Sequence, residues 1–329
     1  MWQFSCDIDC REYDRYSPEN YVRIKGRGVL SIAFPRGVCS SIKYCFFSAI
    51  VMLLSSPVHA ALGDSINRLF TPKPKCTRAE LTEALDAYFY ALSIRDSSEL
   101  PVTEDVKFTE NGRILELGQG KLWPAAGDPK MRRDVLDTAQ CAAVTMSVVP
   151  RDGRNAVLGL RIKLENDLIS EIETLFVSPG FFFSSPLVLL NQYQPEWDEI
   201  LPARERSTAV ALRAYADSYF NALDTSGTRD YIPAPFAENC NRWENGVQTT
   251  FNNCEGQLRY MPFNVLQIGM TQRRFPVMDT EKGIAVGFAS FTNIWNMMEI
   301  FLIRDARIQK IHAVMVPWTG QTGWETSAQ

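Results

Sequence analysis

Beyond Ala60 the chain holds one histidine, His312, and imidazole is the side chain whose charge changes near neutrality without help from its surroundings. It lies in RIQKIHAVMV (Arg307–Val316). Read as a strand, that run puts Ile308, Lys310, Val314 and Val316 on the histidine's own face. Lys310 makes the face a solvated one as readily as a pocket wall, so an acid–base role and a structural role both stand. Upstream, CNRWENG (Cys240–Gly246) sets Glu244 two residues after Arg242, at the start of an expected strand. A carboxylate held in an apolar pocket has its pKa raised by desolvation, which suits proton abstraction beside a carbonyl. The neighbouring Arg242 would lower it instead, and could clamp an anionic substrate through a bidentate contact. The competing reading is a local ion pair that fixes the loop. Tyr88, Tyr215 and Tyr219 fall at helical spacing, where aromatics ordinarily build core. Trp243 and Trp295 are candidates to line an apolar cavity or to pack at its mouth.

Other chemistries find no footing in the sequence. It contains no nucleophile elbow, phosphate loop, dinucleotide fingerprint or CxxC pair, and one histidine is too few for the usual zinc sets, so no metal site is expected. No cofactor is called for. The 329 residues are 46% hydrophobic and 22% charged, with a net charge of −4. That is an ordinary composition for about two domains. No basic patch recurs, which argues against a nucleic-acid partner.

The elements that must position these residues come in two copies. DAYFYAL (Asp86–Leu92) returns as DSYFNAL (Asp217–Leu223), ENG (Glu110–Gly112) returns at Glu244–Gly246, and LRIKLENDLISEIETLFV (Leu160–Val177) is echoed by EIFLIRDARIQKIHAVMV (Glu299–Val316). Three anchors in the same order indicate a tandem duplication. Each unit opens with an amphipathic helix, capped by Thr77 with Glu80 in one copy and by Ser207 in the other. Strands follow at 106–117, 140–149, 155–164 and 168–177, then at 271–279, 284–292, 298–304 and 307–316, with Asn-Gly and Asp-Gly turns marking hairpins. Helix followed by antiparallel meander is α+β; a curved sheet wrapped as a cone about the helix would bury both and leave a pocket at the open end. The expected division is an N-terminal extension and signal peptide over 1–60, domains at 61–178 and 207–316, an apolar connector at 179–206 and a polar, disordered tail at 317–329. The connector, with consecutive phenylalanines and Trp197, is too apolar for a flexible linker and is expected to pack between the domains.

Tyr44–Leu54 (YCFFSAIVMLL) is an apolar run followed by SSPVHA, the pattern of a signal peptide cleaved after Ala60. It is short for a bilayer span, so membrane attachment is expected only if the segment stays uncleaved. The forty residues before it read as upstream of the true start. Secretion then makes disulfides of Cys76, Cys141, Cys240 and Cys254, two per copy. Of three connectivities, pairing within copies (Cys76–Cys141 and Cys240–Cys254) best suits units that fold independently; four buried thiols is the other reading.

The units resemble the SnoaL-like and ketosteroid-isomerase-like superfamily. Residues 76–316 more specifically resemble a fungal two-domain family of unassigned function, through Cys76, EWDEILPARERS (Glu196–Ser207), CNRWENG, Cys254 and RIQKIHAV (Arg307–Val314). A looser resemblance is to the ketosteroid-isomerase-like proteins of fungal maleidride pathways. These likenesses imply two tandem cone-shaped domains. They also imply a cofactor-independent isomerase, cyclase or lyase acting by proton transfer on a small carbonyl or acid metabolite. Glu244 or His312 would be the base, Tyr219 the oxyanion donor, Arg242 the anion clamp, and Trp243, Trp295 and Tyr215 the substrate-binding wall. In that family an acid-serine-histidine motif precedes the last hairpin; here NMMEIF puts Glu299 where the histidine would lie. A homodimer is compatible with such a fold. The alternatives are a secreted module that only binds a small molecule, with Arg242–Glu244 structural, and an interaction protein that uses the aromatic segment 181–197 as an exposed surface.

Overall fold

The computed structural model describes residues 76–324, apart from 179, 182, 193, 261–268 and 292, together with two strands nearer the N-terminus. The chain divides into two compact units, Met1–Thr71 and Pro72–Gln329. Of the first, the described part is an antiparallel pair, β1 (Tyr21–Lys25) and β2 (Ser31–Pro35). The apolar run Tyr44–Leu54 and the expected cleavage site lie outside the described residues. Among those described, no helix is long and apolar enough to cross a membrane.

The second unit carries both copies. In the first, α1 (Arg78–Ile94) begins with the expected capping box of Thr77 and Glu80 and buries Leu81, Leu85, Tyr88 and Leu92. The strands β3 (Val102–Glu110), β4 (Arg113–Leu115), β5 (Met131–Asp137), β6 (Ala142–Arg151), β7 (Arg154–Glu165) and β8 (Leu168–Val177) form one sheet in the order β4-β3-β8-β7-β6-β5. The connector contributes a short helix, α2 (Pro186–Asn191). The second copy has α3 (Ala209–Asp224), capped by Thr208 one residue beyond the expected Ser207, then β9 (Phe236–Glu244), β10 (Val247–Gln248), α4 (Cys254–Tyr260), β11 (Met270–Asp279), β12 (Ile284–Phe291), β13 (Trp295–Arg304) and β14 (Arg307–Pro317). Its sheet order, β10-β9-β14-β13-β12-β11, repeats the first. In each sheet one pair is parallel, β3 with β8 and β9 with β14, and the rest are antiparallel. The fold is α+β, two helix-plus-sheet units with six-stranded mixed sheets. Glu244 ends its strand, whereas the sequence suggested a beginning, and β5 had no sequence signal because MRRDVLD is mostly charged.

Each sheet is buried on both faces. The inner faces pack on their helices: Phe108, Leu158, Leu160 and Ile172 on α1, and Met297, Phe301, Ile311 and Met315 on α3. The outer faces pack on one another, Val144, Met146 and Val157 meeting Val286, Met298, Ile300 and Val314. Edge strands join the halves reciprocally: Asp137 accepts from the Met278 amide at 2.8 Å and Asp279 from the Leu136 amide at 3.1 Å. Arg78 adds a two-point ion pair to Asp279, 2.9 Å at each contact.

The segments that follow the last strand of each copy also cross over. Ser185 of the connector donates its amide to the Asn245 carbonyl at 2.8 Å, and Ser185 O lies 2.3 Å from where a Cβ would stand on Gly246. On the other side Thr319 donates to the Asn111 carbonyl at 2.9 Å, and Gln321 O lies 2.2 Å from a Cβ on Gly112. Both glycines have positive φ, 82° and 85°. The repeated Asn-Gly therefore serves twice, turning a hairpin and leaving room for the other half's strap. In the connector Trp197 is 1% exposed, so it is packed inside and is not part of an exposed binding surface. The expectation of a disordered tail is corrected as far as Trp324, whose indole N–H donates to Thr109 Oγ1 at 2.9 Å and whose ring lies under Lys107 and Arg161.

Both disulfides join the expected partners, Cys76–Cys141 and Cys240–Cys254, at sequence separations of 65 and 14. Two such bonds suggest an oxidising compartment. Replacing Cys240 and Cys254 by serine should cost about 3 kcal/mol on the chain-entropy scale for so short a loop, read as a lowered denaturant midpoint.

Candidate functional site

The register of the second sheet brings its ionisable groups to one spot on the inner face. Reading across strands, Gly287, Glu299, Ala313 and Glu244 stand side by side in one row, and Phe301, Ile311 and Arg242 in the next. Ala313 and Gly287, both small, flank Glu299, and the rings of Phe220 and Phe275 fill the space over Gly287. Arg242 reaches between the two carboxylates: Nη2 donates to Glu299 Oε1 at 2.8 Å and Nη1 pairs with Glu244. From above, α3 lowers Tyr219 onto the group, with Arg242 5.8 Å from the ring centroid and Phe301 packed at 5.4 Å. Arg242 is itself placed by Thr250, whose hydroxyl accepts the Arg242 amide at 2.7 Å and contacts the sulfur of Cys254 at 3.6 Å. The Cys240–Cys254 bond thus holds the loop that fixes Arg242.

Glu299 is 0% exposed. Burial pushes its carboxyl pKa up, with Arg242 opposing. Burial likewise raises the Tyr219 phenol, again against Arg242, so the hydroxyl keeps its proton and remains a donor. Glu299 Oε2 and Arg242 Nε have no hydrogen-bond partner among the described residues, and the Tyr219 hydroxyl has none of good geometry although it interacts with the Arg242 side chain. A buried ion pair whose second carboxylate oxygen has no partner is uncommon in a protein interior. A carboxyl with raised pKa and a neutral phenol on one face can take a proton from carbon and donate to the oxygen that gains charge. Tyr215, Phe275 and Trp295 pack, partly buried, against the hydrophobic core of the same half.

The first copy occupies the same register positions with hydrocarbon. Glu110 pairs across Thr174 with Leu160, as Glu244 pairs across Ala313 with Glu299. Phe108 opposite Ile172 matches Arg242 opposite Ile311. The Arg242–Glu299 pair of the second copy is thus Phe108–Leu160 in the first. Tyr88 matches Tyr219, but its ring packs edge-on against Trp123 at 5.6 Å. Glu110 accepts the amides of Lys121 and Leu122 at 2.7 and 2.9 Å and so ties down the loop that inserts Leu122 and Trp123. There Glu110 is a structural anchor in a filled interior.

Of the residues singled out by sequence, Glu244, Arg242, Tyr219, Tyr215 and Trp295 fall on the inner face. His312 and Trp243 do not: they are register partners on β14 and β9 and point to the outer face, toward the first half. The ring of His312 stacks on Trp243 at 4.6 Å, meets Trp197 edge-on at 5.2 Å, and contacts Arg133 of β5 through Nδ1 at 3.2 Å. The strand parity was right except at Ile308, which the irregularity between Ile308 and Lys310 turns into the inner core. His312 is therefore not a pocket base, and Trp243 does not line the cluster. Glu299 is the residue that sequence reasoning left without a role. Its signal was present in the echoed segment, where it aligns with Leu160, a buried acid against a core leucine. Among the described residues no group of His, Cys, Asp and Glu could hold a metal ion.

A family model described as a domain of unknown function (DUF8021) matches residues 205–315. A search of curated proteins finds no match. Among solved structures, one from Silicibacter sp. TM1040 described as a "putative polyketide cyclase" is similar at 15% identity and a TM-score of 0.24, covering 30% of this chain and 89% of that one.

Proposed function

We propose that the second half is a proton-transfer enzyme, an isomerase, cyclase or lyase acting on a small carbonyl metabolite, and that the first half is its structural twin. The observation that carries this reading is the buried Arg242–Glu299 pair, with Glu299 Oε2 unengaged and Tyr219 lying on Arg242, at positions where the duplicated copy uses Phe108 and Leu160 and packs its tyrosine, whose hydroxyl also lacks a partner, against Trp123. A buried ion pair adds little to stability over hydrocarbon of the same volume, so its retention beside a copy that folds without it points to chemistry. Glu299 is the base, with Glu244 as a second carboxylate across Ala313. Tyr219 is the donor to the enolate oxygen. Both Nη atoms of Arg242 are taken by carboxylates, which makes it a group that positions Glu299 rather than a clamp for an anionic substrate.

The test is hydrogen–deuterium exchange at carbon in small ketones with acidic C–H bonds, followed by NMR with the full chain, alongside binding of phenols as enolate mimics. Exchange above buffer is expected, falling about 10²–10⁴-fold in Glu299→Gln. Its acidic limb should lie above the ordinary carboxylate range, because a base must be ionised and burial raises this one. Phenol binding that survives Glu299→Gln with no exchange in wild type would leave a binding module only; neither exchange nor binding would overturn the site.

A further inference from the structure

The two halves meet through a pair of matched contacts in which one member has been exchanged. By register Glu173 on β8 corresponds to His312 on β14: each stands one row from the site row, opposite Thr109 in the first sheet and opposite Trp243 in the second. Arg133 on β5, paired with Met146, corresponds to Arg274 on β11, paired with Phe288. Each arginine crosses to the other half. Arg274 binds Glu173 through both Nη atoms, at 2.6 and 3.2 Å, and Arg161 adds a further contact to that carboxylate at 3.0 Å. Arg133 meets His312 instead. One contact of the duplicated interface is an ion pair, and its partner is a cation against an imidazole.

The chemistry of that second contact is one-sided. A guanidinium can only donate, so Nδ1 of His312 must accept and the ring must be neutral with its proton on Nε2, which has no partner among the described residues. The groups facing it offer no anion in contact. From its own strand comes Lys310, paired with Glu196. From β9 comes Trp243, and from the connector Trp197. From β5 comes Arg133, with its guanidinium 4.5 Å from the Trp197 ring centroid. From the connector also come Glu196 and Asp198, which act on Arg133 at longer range; Asp198 is held by Lys282 at 3.0 Å. The nearby acid of β8, Glu173, is taken by Arg161 and Arg274. A second proton on His312 would put an N–H against the N–H of Arg133, inside two indole rings.

We infer that His312 and Arg133 form an acid-sensitive latch between the halves, closed while the imidazole is neutral and released when it takes up a proton. Burial first, and Arg133 and Lys310 after it, hold the His312 pKa well below its usual 6.5 in the closed form. The sign follows. Above about 6.5 the ring is neutral in both closed and open forms and contributes no pH dependence. Below it the open form binds the extra proton, and opening is favoured by up to tenfold per pH unit until the closed-form pKa is reached. Ile311 and Ala313, on either side of His312, are the register partners of Arg242 and Glu244, so release acts on the strand pair that carries the proposed site.

The experiment is amide hydrogen exchange by mass spectrometry on the full chain from pH 7.5 to 5, corrected for the intrinsic pH dependence. Peptides covering β5 and β14 are compared in wild type, His312→Gln and His312→Glu. Wild type should open progressively more below pH 6.5, by up to tenfold per unit, and His312→Glu, which restores the acid found at the matched position, should be flat over the same range. Parallel profiles in wild type and both variants overturn the latch. Should the variants fail to fold, NMR of the wild-type imidazoles decides: a His312 ring titrating near 6.5 in the intact fold overturns it, and one still neutral at the pH where opening begins supports it.

Discussion

Arg242→Phe combined with Glu299→Leu should give a protein more stable than Arg242→Phe alone by about 1–4 kcal/mol, below wild type only by what Glu244 loses with its guanidinium partner, and inactive. The two replacements are the residues the first half already uses at the same register positions, Phe108 and Leu160, both essentially without exposure. They remove a desolvated guanidinium and a desolvated carboxylate whose mutual attraction only partly offsets the cost of burying them. The single changes should behave oppositely. Arg242→Phe alone strands Glu299, 0% exposed, and should cost about 3–5 kcal/mol, since breaking a buried pair leaves an uncompensated charge. Urea midpoints of the two single variants and the double variant close a cycle, and exchange at carbon measured on the same samples reads function. A double variant as destabilised as Arg242→Phe would make the pair structural and remove the main support for the proposed chemistry. Stability regained over Arg242→Phe with activity still lost is the outcome expected of residues kept for function.

The duplication, the helices and the hairpins were legible because each rests on local physics. The stripes Leu81–Leu85–Tyr88–Leu92 and Leu212–Tyr219–Leu223 have helical period, and the Asn-Gly turns sit at the positive φ they favour. The disulfide partners followed from keeping each copy self-contained. What could not be read was which strand face turns inward. Where a sheet carries a helix on one side and a second sheet on the other, apolar residues fall on both parities, as in IHAVMV, and alternation no longer marks the core. His312 and Arg242 were for that reason assigned to one pocket when they lie on opposite faces of adjacent strands. β5 was missed because Arg132, Arg133 and Asp134 look like a loop; their charge is spent on Asp86 and on the other half. The C-terminal strap was missed because its one informative residue, Trp324, is isolated in a polar tail. Glu299 was in view in the echoed segment, and the comparison of the chain with itself, position by position, is what gives it weight.

Trp123→Ala should separate the two halves' duties. Trp123 is 2% exposed and fills the first copy's interior against Tyr88, held there by the loop that Glu110 anchors. Truncating a buried tryptophan typically costs about 3–5 kcal/mol, so a large fall in the thermal or urea midpoint is expected. If the first half is a structural twin, exchange at carbon and phenol affinity at temperatures well below the midpoint should stay within about twofold of wild type. The reason is that nothing in the Arg242–Glu299–Tyr219 cluster touches α1 or its loop; the halves communicate through the outer faces of their sheets and through the straps, not through the two interiors. Glu110→Gln should act in the same sense and more weakly, since its single amide oxygen can still accept from one of the two amides, Lys121 and Leu122, that the two carboxylate oxygens hold. A Trp123→Ala protein that keeps its fold but loses exchange at carbon would instead place the reacting centre, or an indispensable part of it, in the first copy. A gain of phenol binding in the emptied interior, saturating separately from the second-half site and insensitive to Glu299→Gln, would show that the first copy can hold a ligand once its plug is removed and lacks the ion pair of the second.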